Sequence, residues 1–208
     1  MGNVSNELAK DKEIVLQAFH ASLEEHGATV QGVLYGSQES QSKRFQVLSE
    51  IADLTGKSIL DVGSGLGDLY TYLTSAFSHY TGVDINPEMV AQAQARCPHA
   101  HFECRDLLQE PLTEKFDYVL ASGTFNLQTP HWTKWTRLML RAMFTACKRG
   151  VGVNFLDVNS PFGKDKGSVY LEPTTILAYI RANLSPWATL RQDYRANDFT
   201  IYAFREPV

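Results

Sequence analysis

One stretch constrains this chain more than any other: Ile59-Leu60-Asp61-Val62-Gly63-Ser64-Gly65-Leu66-Gly67-Asp68. An apolar run with strand character ends in a glycine-rich turn, and a helical pattern starts at Asp68. Glycines at such a turn let the chain reverse without a Cβ clash and let a ligand come close to the backbone. In a doubly wound sheet, the turn after the first strand is where nucleotide-like ligands bind. The same texture continues downstream. Ser58–Val62, Tyr80–Val83, His101–Cys104, Phe116–Ala121 and Val151–Leu156 read as strands, with helices predicted over 68–76, 87–96 and 133–147. Strands and helices alternating at this interval imply right-handed crossovers and a parallel sheet. After a helix near 174–182, the runs 188–194 and 199–204 read as two further strands, joined by the turn-prone Arg195-Ala196-Asn197-Asp198. The expected fold is α/β: a doubly wound, mostly parallel seven-stranded sheet with an antiparallel C-terminal hairpin and an N-terminal helical cap.

Spacing and charge narrow the ligand. A dinucleotide fingerprint has a small residue at the last position of G-x-G-x-x-G, where the helix packs near the pyrophosphate. Here that position is Asp68, and Asp61 lies two residues before the first glycine. Each carboxylate would repel a pyrophosphate by on the order of 1–4 kcal/mol at surface-like dielectrics. Both suit a cationic ligand, and S-adenosylmethionine, with an ammonium, a sulfonium and no phosphate, is one. Asp84 closes the next strand, in Thr81-Gly82-Val83-Asp84-Ile85-Asn86. It stands 21 residues after Gly63 (84 − 63), where an acid can accept hydrogen bonds from ribose hydroxyls. Asp106 follows the third strand in Cys104-Arg105-Asp106-Leu107, placed to accept from an adenine amino group.

These segments, together with Phe116-Asp117-Tyr118-Val119-Leu120-Ala121-Ser122-Gly123, resemble the class I (Rossmann-like) SAM-dependent methyltransferases over about residues 57–123. The resemblance implies S-adenosyl-L-methionine as cofactor. Residue by residue, it implies that Asp61, Gly63, Ser64 and Gly65 hold the methionine moiety and Asp84 the ribose. Ile85 would pack on the adenine, Asp106 and Leu107 would read its amino edge, and Ala121 and Ser122 would floor the sulfonium. The expected activity is in-line methyl transfer to a small-molecule acceptor. Where adenine or glutamine-amide methylases carry an Asn-Pro-Pro-Tyr-like run, this chain has Ser122-Gly123-Thr124-Phe125. Candidate acceptor-side groups are Asn126, His131 and Tyr170, with Asp157 and Tyr194 behind them and Phe125, Trp132 and Phe162 as apolar or cation–π walls. Three other readings stay open. One is cyclisation or lyase chemistry on SAM itself, releasing methylthioadenosine. The others are a nicotinamide-dependent oxidoreductase, which Asp61 and Asp68 oppose, and a non-catalytic SAM-binding protein.

The sheet region starts near Lys57, so the chain divides into an N-terminal cap or lid, 1–56, and a catalytic domain, 57–208. In the cap, Leu8, Ile14, Val15, Ala18, Phe19 and Leu23 keep helical spacing from Glu7 to His26; a Gly- and Ser-rich loop, 32–42, and a second helix to Leu54 follow. Tyr35 and Arg44 are its candidate cofactor contacts, since an arginine fork suits a carboxylate. A formal net charge of −4 argues against a nucleic-acid partner, which usually leaves a basic footprint. The basic set Lys134, Arg137, Arg141, Lys148 and Arg149 reads as a solvated helix face. No apolar run is long enough for a membrane span, and no secretory segment is visible, so a cytoplasmic location is expected. The His and Cys spacings fit no metal site.

Overall fold

The computed structural model describes residues 2–73, 77–162, 164–195 and 197–207. The positions 74–76 of the third expected helix, and Ala196 of the expected turn, lie outside them. Eight strands form one sheet: β1 (Ser58–Val62), β2 (His79–Asp84), β3 (His101–Cys104), β4 (Phe116–Ala121), β5 (Cys147–Asp157), β6 (Tyr170–Leu171), β7 (Ala188–Arg191) and β8 (Asp198–Phe204). Their order is β3-β2-β1-β4-β5-β8-β7, with the short β6 pairing off this path with the end of β5. Strands β1 to β6 pair in parallel, whereas β8 runs antiparallel to both β5 and β7. The order reverses between β1 and β4, which leaves a crevice at the carboxyl ends of these strands.

Two-residue alternation along the strands produces the layers. Leu60, Val62, Val119, Ala121, Val151 and Val153 point to one face, where they meet Met139, Leu140, Met143, Ile176 and Ile180. Those partners come from α5 (Trp132–Ala146) and α6 (Pro173–Asn183). Ile59, Tyr80, Phe102, Tyr118, Leu120 and Tyr202 point to the other face, against Phe45, Val47, Leu69 and Ala93. These come from α2 (Gln38–Ser49), α3 (Asp68–Leu73) and α4 (Pro87–Arg96). The remaining helix, α1 (Gly2–His26), brings Phe19 and Leu23 onto Leu66 and Met89 above the glycine-rich turn.

Several bounds differ from expectation for identifiable reasons. Helix α1 begins at Gly2 rather than Glu7. Helix α2 starts inside the expected loop because the Ser37 hydroxyl caps it, accepting from the Ser40 amide at 3.1 Å. It ends at Ser49, short of Leu54. β5 starts at Cys147 rather than Val151, since Phe116 pairs with Cys147 before a register shift. β7 stops at Arg191 rather than Tyr194, whose hydroxyl bonds Thr200 Oγ1 at 2.8 Å. The two-residue β6 carries no periodicity to announce it. The segment 1–56 is also not uniform: α2 is part of the sheet packing, with Tyr202 donating its hydroxyl to the Val47 carbonyl, while α1 lies over the crevice. No helix of the described residues is long and apolar enough to cross a membrane.

Candidate active site

A cavity of about 350 Å³ opens at the carboxyl ends of the central strands, within the size range of small-molecule sites. The turn after β1 forms its floor. Gly63 and Gly65 adopt φ of +74° and +51°, the left-handed region that glycine occupies without strain. The amides of Gly63 and Ser64 both donate to the Val83 carbonyl, at 2.8 and 3.1 Å, tying the turn to β2. Gly65 donates its amide to Asp84 Oδ2 at 2.8 Å, and Asn86 donates to Asp84 Oδ1 at 2.9 Å. Burial raises the Asp84 pKa, with these two amides opposing the rise.

Asp61 is the most perturbed acid. Burial pushes its pKa up to about 7, against the stabilising hydrogen bond from Tyr80 Oη at 2.6 Å. Both Asp61 and Asp84 border the cavity, as do Gly63, Ser64, Gly65 and Ile85. On the far side, Asp106 Oδ1 accepts from the Leu108 amide at 3.1 Å, and Lys12 of α1 reaches Asp106 Oδ2 at 3.1 Å. Leu107 is buried beside it. Asp68 also borders the cavity, but it shares its charge with Arg96 at 2.8 Å and accepts from Gln41 at 3.1 Å.

The loop after β4 meets the cap through a polar chain. Tyr35 Oη lies 2.7 Å from Ser122 Oγ, and Asn154 Nδ2 donates to Ser122 Oγ at 3.0 Å. Asn154 Oδ1 accepts from the Gly123 amide at 2.9 Å, so one buried amide of β5 orients the whole loop. Arg44 stands over the Tyr35 ring at 5.1 Å and pairs with Asp198, donating from Nε and Nη2 to Oδ1 at 3.0 and 2.6 Å. Burial works against the Arg44 charge, but the Asp198 carboxylate, Tyr35 and Tyr194 together outweigh it and hold the guanidinium above its ordinary pKa.

Tyr35, Arg44, Ser122 and Asn126 all border the cavity; Ala121, His131 and Tyr170 do not. Ala121 is fully buried in the sheet core. The His131 ring is held by Asp11 of α1, with Nδ1 to Oδ1 at 3.0 Å. Tyr170 Oη donates to Asp165 at 3.0 Å on an exposed loop. Asp11, buried and bordering the cavity, also accepts from Thr129 Oγ1 at 2.8 Å and from the His131 amide at 2.9 Å. Sequence reasoning passed over Asp11, Asn154 and Asp198. A signal for Asp11 existed: it follows Leu8 by three residues and precedes Val15 by four, on the apolar stripe of the helix. A lone polar residue in the apolar run 151–156 is the corresponding signal for Asn154.

The cavity suits a cation with polar appendages. Five carboxylates, Asp11, Asp61, Asp68, Asp84 and Asp106, border it, and the buried Ser64 Oγ and Asn126 Oδ1 have no hydrogen-bond partner within the protein. A topological switch point with this lining defines a nucleoside-binding α/β enzyme with room for a small ligand. Residues 59–150 match the family model described as "Methyltransferase domain". Rv1506c of Mycobacterium tuberculosis, which bears a provisional methyltransferase name, is 30% identical over 154 residues, 69% of this chain and 90% of its own length. The malonyl-acyl-carrier-protein O-methyltransferase of Acetivibrio thermocellus is 35% identical over 92 residues, 41% of this chain but only 32% of that enzyme. Among solved structures, the SAM-bound magnesium protoporphyrin IX methyltransferase of Synechocystis PCC 6803 superposes with a TM-score of 0.68 at 21% identity, covering 94% of this chain and 97% of its own. The chain belongs to the SAM-dependent methyltransferase family.

Proposed function

We propose that the chain transfers the methyl group of SAM to a small molecule that enters beneath α1. The observation that carries this reading is the roof of the cavity. Leu8, Val15, Leu16 and Phe19 of α1 close over the same space that Asp61, Asp84 and Asp106 border. An enclosed cavity with apolar walls admits a metabolite-sized acceptor better than a folded protein or a duplex. We assign the lid to α1 and the loop after it, and leave α2 with the sheet domain it packs against.

In this reading Asp61 faces the ammonium, Asp84 the ribose hydroxyls and Asp106 the adenine amino group. Ile85 and Leu107 pack on the adenine, and the turn at Gly63–Gly65 lets the methionine moiety lie against backbone. Arg44 and Tyr35 serve its carboxylate, and Ser122 keeps the loop after β4 at the sulfonium end. The bound cofactor supplies an activated methyl group whose departure needs no acid. The protein's work is orientation and exclusion of water. Asn126 is the acceptor-side group, because the residue borders the cavity and its buried Oδ1 has no partner within the protein. His131 acts through Asp11 on the lid, and Tyr170 stands at the approach to the site.

The test is incubation with SAM and a fractionated metabolite extract, read by mass spectrometry. Appearance of S-adenosylhomocysteine with one product heavier by a methyl group is expected. Methylthioadenosine as the SAM-derived product would replace methyl transfer with chemistry on SAM itself.

A further inference from the structure

We propose that Asp198 is a positioning residue that aims the Arg44 guanidinium at the carboxylate of the cofactor's methionine moiety; this rests on the cofactor reading above. The fold brings the two together across 154 residues. Asp198 opens β8 and pairs in register with Leu156 near the end of β5, so an antiparallel strand starts at the ligand-binding edge of the sheet. Its carboxylate is completely buried, and Arg44 is nearly so.

The geometry is that of an aimed guanidinium rather than a simple neutralised pair. Arg44 gives Nε and Nη2 to one oxygen, Oδ1, and Nη1 stays outside the pairing on a side chain that borders the cavity. The other oxygen, Oδ2, is buried without a hydrogen-bond partner: Arg195 Nε lies 3.1 Å from it but donates to Asn197 Oδ1. Two arginines flank one carboxylate, so the cluster carries an excess positive charge, of which Arg44 is the member that borders the cavity. A second carboxylate, from a ligand, completes the balance. The stacked Tyr35 ring, 5.1 Å from the guanidinium, limits its swing, and Tyr35 itself is pinned to Ser122. A planar fork held at one edge presents its remaining edge in a fixed direction, which suits recognition of a carboxylate.

The experiment compares two ligands by calorimetry on wild type, Asp198→Asn and the paired apolar variant Arg44→Met/Asp198→Leu. S-adenosylhomocysteine carries the amino-acid moiety; methylthioadenosine shares the adenosine and lacks it. For both variants the affinity for S-adenosylhomocysteine should fall about 10- to 100-fold, as for loss of a hydrogen bond to a charged group, with methylthioadenosine affinity unchanged. The apolar pair removes the guanidinium and measures what Arg44 contributes. Asp198→Glu, which keeps the charge but moves the carboxylate by one methylene, keeps the positioning role testable should Asp198→Asn fail to fold, and the same selective loss is expected of it. Equal losses for both ligands, or no loss for either, would overturn the positioning role. Wild-type protein that binds neither ligand would instead overturn the cofactor reading, and this inference with it.

Discussion

Asp61 is held by two opposing influences, and its protonation follows from which one prevails. Burial favours the neutral acid and places its pKa at about 7, whereas a cationic ligand favours the carboxylate. The folded-state value lies above the ordinary carboxylate value. Its stability contribution to the empty protein is therefore fully present below about pH 4 and is lost as pH rises through about 7. Ligand affinity has the opposite sign. It should climb with pH, by up to about tenfold per unit below 7, and flatten above it. Calorimetry in buffers of different ionisation enthalpy should then show proton release on SAM binding near pH 6. Asp61→Asn should abolish that release, bind SAM more weakly, and melt no lower than wild type at pH 8. A Cβ at Gly63 gives a second prediction. It would sit 2.5 Å from Thr124 Oγ1 at a φ of +74°, so Gly63→Ala should cost about 1–3 kcal/mol in urea unfolding and weaken SAM binding. Unchanged stability in that variant would mean that Thr124 can leave its bond to the Val62 carbonyl freely.

At the scale of elements, α1 is fastened by the polar side chains Glu7, Asp11 and Lys12 in addition to its apolar stripe. Glu7 meets Lys134 at 2.7 Å, Asp11 takes Thr129 and His131, and Lys12 reaches Asp106. Exposed ion pairs such as Glu7–Lys134 contribute little. The buried Asp11, with three donors, dominates. Asp11→Ala should loosen the helix locally, by about 1–3 kcal/mol of opening free energy. Hydrogen exchange should then quicken over residues 7–26 and leave β1 and β4 protected; uniform quickening would contradict a separable lid. Elements were legible in the sequence where one residue type decided the conformation. The glycines after β1, Pro87 at the first turn of α4 and the short apolar run of β4 each specify their own backbone. The polar fastenings were not legible, because they join residues 94 or more positions apart. Nothing near Asp11 or Arg44 in the chain names Thr129 or Asp198. That Asp61, Asp84 and Asp106 border the cavity could be anticipated because the first two lie at the carboxyl ends of β1 and β2 and the third lies two residues beyond β3. His131 and Tyr170 were read by the same logic, yet side chains at loop ends take their direction from tertiary partners, here Asp11 and Asp165.

Across the whole molecule, the final strand joins structure to site. β8 lies between β5 and β7, and its Phe199 stacks on Phe155 with ring centroids 5.3 Å apart in the larger core. Phe199→Ala should therefore cost about 3–5 kcal/mol globally and lower Tm by roughly 6–20 °C, measured by calorimetry at one scan rate. A loss confined to cofactor affinity, with Tm unmoved, would show that the strand end is softer than its burial suggests. The position of β8 also bears on how the protein is made. Synthesis delivers the parallel strands and α2 long before residues 198–204, and until then β5 is an unpaired edge and Arg44 a cation without its counter-ion. The nascent chain carries that exposed edge, a template for wrong pairing with other chains, from the completion of β5 at Asp157 until β8 is made. Slow translation or chaperone cover late in the message should therefore matter more to its yield than any single contact in the finished fold.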